Sequence, residues 1–70
     1  MYDLSKLRGR IIDKFGSLSN FAEKLGKDKT YLSRKMQGHS DFSRTEIIEW
    51  SNLLEIDSSM YEVYFFTEKV

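Results

Sequence analysis

The sequence has no cysteine and no proline, and only one histidine and one tryptophan. Without cysteine there is no disulfide framework and no thiolate metal site, which fits a reducing compartment. With His39 alone, neither a multi-histidine metal centre nor a Ser-His-Asp triad has support. No nucleophile is paired with a base and the carboxylates are scattered rather than convergent, so no catalytic, metal or cofactor site is expected and the chain does not read as an enzyme. No apolar run approaches the roughly 18 residues of a membrane span. Met1 leads straight into charged, amphipathic sequence rather than a signal peptide, so the expected location is cytoplasmic, with no membrane partner. Linkers, low-complexity stretches and internal repeats are also missing. Seventy residues then make one domain, 1–70, whose core supplies only marginal stability; a homodimer or another partner would help.

Net charge is absent too, with 11 basic against 11 acidic residues, a balance that argues mildly against a nucleic-acid binder. Its distribution argues the other way. Residues 1–40 carry nine Lys/Arg against four Asp/Glu, a net of +5, and residues 41–70 carry two against seven, a net of −5. Such a polarised molecule can present a basic face to phosphates, or dock its acidic end on a basic protein.

What is present is organised around SLSNFAEKLGKDKTYLSRKMQG, residues 17–38. Leu18, Phe21, Ala22 and Leu25 recur at helical spacing, Ser17 is a fitting N-cap, and Gly26 ends the helix in a left-handed turn. Asp28 then opens a second helix, Lys29 to Gln37, that buries Leu32 and Met36, and Gly38 closes it. Two short helices joined by so short a turn must cross steeply, as in a helix-turn-helix. On the second helix Thr30, Arg34 and Gln37 fall opposite the buried side, with Lys29 and Ser33 flanking. These hydrogen-bonding groups suit base edges in a major groove, although an isolated helix would more often carry them as a solvated face.

The order Ala22, Gly26, Leu32 and Gly38, within FAEKLG and YLSRKMQG, resembles the motif of small phage-encoded Cro/repressor-type helix-turn-helix proteins. More loosely the likeness extends over most of the chain, from YDLSKLRG to YFFTEKV. It implies an all-α, compact bundle of four to five short helices with a central helix-turn-helix at about 18–38, a lambda-repressor-like DNA-binding domain. The sequence departs from that family at Leu18, where a phosphate-bracing glutamine is usual, and at Lys35, where an apolar residue is usual. The Lys35 stem can snorkel past the edge of the core to water or phosphate.

Elsewhere, Asp3 to Lys14 reads as a helix with Leu4, Leu7 and Ile11 inward and Phe15 closing it. Gly9 within it is expected to admit a close neighbouring helix, since glycine costs about 1 kcal/mol there. His39 to Phe42 is a loop, with Phe42 as a core plug. Ser43-Arg44-Thr45-Glu46 is a capping box for a helix burying Ile47, Trp50 and Leu54, its stripe widened by Leu53 and Ile48. Asp57 or Ser58 can cap a short fifth helix carrying Met60, Val63 and Tyr64. The rings of Tyr61, Tyr64, Phe65 and Phe66 either pack back near Tyr2 and Leu4 or enter a dimer interface.

Two functions follow. The first is a sequence-specific regulator of transcription, binding a double-stranded DNA operator as a homodimer. Lys29, Thr30, Ser33, Arg34 and Gln37 would contact bases, while Asn20, Lys27, Lys35, His39 and Arg44 would contact phosphates. The second is an antirepressor-type modulator that grips a partner repressor protein rather than DNA, as some small phage regulators resembling this chain do. Zero net charge, Leu18 and the aromatic tail leave room for it.

Overall fold

The computed structural model describes all 70 residues. Helix α1 spans Ser5–Phe15, α2 Leu18–Leu25, α3 Lys29–Lys35, α4 Arg44–Leu54 and α5 Tyr61–Phe65, the last preceded by a 3-10 turn over Ser58–Met60. The result is an all-helical bundle with principal extents of 29 × 23 × 22 Å.

Local chemistry explains most of the boundaries. The Ser17 hydroxyl accepts the Asn20 backbone N–H at the start of α2, and Gly26 ends that helix at φ 72°. Ser43 and Glu46 each accept the other's backbone N–H at 3.1 and 2.8 Å, completing the capping box of α4. Asp57, rather than Ser58, caps the 3-10 turn, accepting from Ser59 N–H at 3.0 Å.

Two ends differ from the sequence expectation. Helix α1 begins at Ser5 instead of Asp3, because the Asp3 carboxylate turns forward to take the Ser5 N–H at 3.0 Å. Helix α3 stops at Lys35 rather than Gln37, running out through a turn to Gly38 at φ 81°.

Trp50 sits at the centre of the core, wholly buried. Three rings surround it from three stretches of chain: Phe21 of α2 at 5.2 Å, Phe42 of the loop at 4.8 Å and Phe65 of α5 at 6.4 Å between centroids. Edge-on and tilted arrangements of this kind set the positive ring edge against a negative face. Leu7, Ile11, Leu32 and Leu54 complete the fully buried set. Phe65 joins the core while Phe66 packs edge-on against Tyr2 at 6.0 Å. The aromatic tail therefore folds back on the start of the chain.

Both chain ends meet behind α3. Tyr2 and Glu68 form an isolated antiparallel bridge, Asp3 N–H donates to Thr67 carbonyl at 2.7 Å, and Lys69 N–H donates to Met1 carbonyl at 3.1 Å. Tyr2 N–H also donates to the Gly38 carbonyl at 3.0 Å. This approach requires glycine, since a Cβ at position 38 would lie 2.4 Å from the Tyr2 carbonyl oxygen. Gly9 behaves otherwise than expected. A Cβ there would meet nothing within 4 Å, so no helix packs against it.

Candidate functional site

Two surfaces stand out, one on α3 and one on α4. Lys29, Thr30, Ser33 and Arg34 on α3 and Gln37 in the turn after it are all exposed, because Leu32 alone drives the helix into the core and Tyr31, Lys35 and Met36 flank it half-buried. Thr30 and Arg34 line a shallow depression with Asp28, Tyr31, Lys35 and Ser40.

Beneath that face lies a polar brace. The Tyr31 hydroxyl donates to Glu46, and Lys35 Nζ donates to Glu46 Oε1 at 2.9 Å and to the Asp41 carbonyl at 3.2 Å, 5.3 Å from the centre of the Phe42 ring. Burial works against charge on Glu46, but the Ser43 N–H, the Tyr31 hydroxyl and the Lys35 ammonium outweigh it and hold the carboxyl at about 2. Burial and then the Glu46 carboxylate push the Tyr31 phenol above its ordinary value.

The expected phosphate-contacting residues differ in how they are held. Lys35 is half-buried and ion-paired. Asn20 donates its side-chain amide to the Phe15 carbonyl at 2.8 Å, closing the end of α1. Lys27 lies 5.4 Å from the centre of the Tyr31 ring. His39 and Arg44 are exposed, the first in the loop and the second opening α4.

The α4 surface was not singled out by the sequence. Ile48, expected to widen the buried stripe, is instead 42% exposed. It lies where two depressions meet. One is lined by Lys24, Thr45, Ile48, Glu49, Asn52 and Leu53, the other by Arg44, Ile47, Ile48 and Tyr61. The available signal was the helical wheel: Ile48 falls about 160° from Trp50 at 100° per residue, beyond the stripe formed by Ile47, Trp50 and Leu54. Sequence hydrophobicity alone does not tell a wide core stripe from an exposed contact.

Comparison with known proteins bears on the family and the kind of role. The pattern of a family described as "Protein of unknown function (DUF739)" matches residues 1–68. The chain belongs to the DUF739 family. No curated protein sequence matches this DUF739 chain. Among solved structures it is similar to the modulator of repression (MOR) of the temperate bacteriophage TP901-1 from Lactococcus lactis, determined in solution. The two share 33% identity over 99% of this chain and 93% of that one, with a TM-score of 0.79.

That similarity corrects the first functional reading. The sequence pointed to a regulator that reads operator DNA through α3, yet the full-length structural counterpart is a modulator of repression. In physical terms, a bihelical motif supplies a way to pack two short helices and does not by itself specify what the exposed rib touches. The counterpart is a regulatory protein, and no helix of the DUF739 chain is long and apolar enough to cross a membrane.

Proposed function

We propose that this DUF739 protein is a modulator of repression that acts by binding a partner repressor protein, and that it is a regulator rather than an enzyme. The observation that carries the reading is the 33% identity to the TP901-1 modulator, sustained over nearly the whole of both chains. A likeness of that extent involves surface as well as core, because only 14 of the 70 residues are buried.

Three features of the chain support it. Formal net charge is zero, where a protein held to DNA by phosphates benefits from a basic excess. Lys35 and Asn20, which a DNA reader would turn toward phosphate, instead bond within the molecule, to Glu46 and to the Phe15 carbonyl. Ile48 and Met60 stand 42% and 40% exposed, as suits a protein contact.

The test uses a helix-turn-helix repressor from the genome that encodes this chain and that repressor's operator. At physiological salt the DUF739 protein alone leaves operator DNA unshifted, co-elutes with the repressor, and alters the repressor's band on the operator. Retardation of the operator by the DUF739 protein alone, with no capture of the repressor, would overturn the proposal.

A further inference from the structure

We infer that residues 1–3 and 57–70 come away from the rest of the fold as one unit, and that proteases first cut the protein in the aromatic stretch this opening lays bare. The unit is bonded chiefly to itself. Asp3 N–H and Lys69 N–H donate to the Thr67 and Met1 carbonyls, Tyr2 packs on Phe66, and the Thr67 hydroxyl donates to the Val63 carbonyl at 2.8 Å. No ion pair and a single backbone hydrogen bond, Tyr2 N–H to the Gly38 carbonyl, tie it to the body. The Tyr2 phenol meets the same stretch, where a hydrogen bond with Asp41 pushes it above its ordinary value. Asp3, whose carboxylate takes the Ser5 N–H, marks one boundary, and Glu55, at φ 56°, marks the other.

Phe65 is the anchor. It alone of the unit's residues is buried, its ring centroid 5.1 Å from that of Phe42 and 6.4 Å from that of Trp50. Helix α5 has five residues and no side-chain N-cap, too short to stand without that anchorage. The body, by contrast, closes its own ends. Arg10 serves the Leu54 and Glu55 carbonyls, and Ile56, itself buried, donates its N–H to the Ser51 carbonyl. Opening therefore forfeits chiefly one ring and one backbone bond, whereas full unfolding forfeits the remaining core as well; a segment so lightly tied opens first. The same step takes Tyr61 from the wall of an α4 depression and releases the turn that follows α3. It therefore alters both candidate surfaces, whichever partner the protein binds.

Native-state hydrogen exchange and limited digestion of the whole chain test this. The amides of Tyr2, Asp3, Phe66 and Lys69, each hydrogen-bonded, share one protection factor, at least about tenfold below those of Trp50 and Leu54 in α4. Phe65→Leu lowers all four together by about tenfold. Should that variant fail to fold, Thr67→Ala carries the test: its lost bonds lie within the unit, yet it speeds exchange at Tyr2 as much as at Phe66. Chymotrypsin makes its first cut at Tyr61, Tyr64, Phe65 or Phe66. Protection equal to that of α4, or four unrelated factors, overturns the unit. A first cut anywhere else overturns the assigned cleavage stretch.

Discussion

Lys35 Nζ lies 2.9 Å from Glu46 Oε1, and this ion pair ties α3 to the first turn of α4. Both side chains are largely shielded, at 17% and 19% exposure, so solvent screens the contact less than it would a surface pair. Glu46 also closes the capping box and takes the Tyr31 hydroxyl, so a single carboxylate accepts from Ser43, Tyr31 and Lys35.

Acid should expose that dependence. The Glu46 carboxyl sits at about 2 in the folded protein against an ordinary 4.5, so the unfolded chain takes up its proton first as pH falls. Its stabilising contribution is complete above about pH 4.5 and fades toward pH 2. Glu46→Gln is expected to lower stability by about 1–2 kcal/mol at pH 7, the scale of a lost charged hydrogen bond. The difference from wild type should shrink across that acid window, as followed by urea unfolding at stepped pH.

Two glycine variants separate backbone strain from crowding. Gly26→Ala meets open space at φ 72°, so only the left-handed conformation penalises it, by about 1–2 kcal/mol. Gly38→Ala adds a clash with the Tyr2 carbonyl to a φ of 81° and is expected to cost about 2–4 kcal/mol. Thermal midpoints measured side by side check the order.

Gly9→Ala should move the other way. The site is helical, and a methyl there would touch nothing within 4 Å. A gain of about 1 kcal/mol follows from helix propensity alone. An unchanged or lowered denaturant midpoint would show that the glycine has another role.

The end of α4 offers a contrast between two cations on α1. Arg10 donates Nε to the Leu54 carbonyl at 2.9 Å and its terminal nitrogen to the Glu55 carbonyl at 3.0 Å, satisfying groups that the helix leaves unpaired. Lys14 only pairs with the exposed Glu55 carboxylate at 2.7 Å. Arg10→Ala should lower stability by about 1–2 kcal/mol, while Lys14→Ala leaves the thermal midpoint almost unmoved.

Caps and apolar spacing made much of this fold legible in the sequence. Ser17, Gly26 and the Ser43–Glu46 box mark helix ends by chemistry that acts within a few residues, and α2 runs from Leu18 to Leu25 as the spacing indicates. What was hidden depends on partners distant in sequence. Lys35 looked available to phosphate because Glu46, 11 residues on, reaches it only after α3 and α4 pack. Gly9 looked like a packing notch, and only the assembled bundle shows open space beside it. The exposed faces were visible as residue types, but neither Arg34 on one nor Ile48 on the other names its partner, because an exposed side chain of either kind suits several.

The aromatic nest around Trp50 also equips the protein with an internal gauge. The only indole in the chain reports at once on α2, the 39–42 loop and α5, since Phe21, Phe42 and Phe65 all touch it. Loosening of any one of those stretches wets the same chromophore, so the emission maximum shifts red whether the molecule frays at its tail or melts throughout. A second, local probe on α5 would then resolve fraying from melting without any added dye in the core.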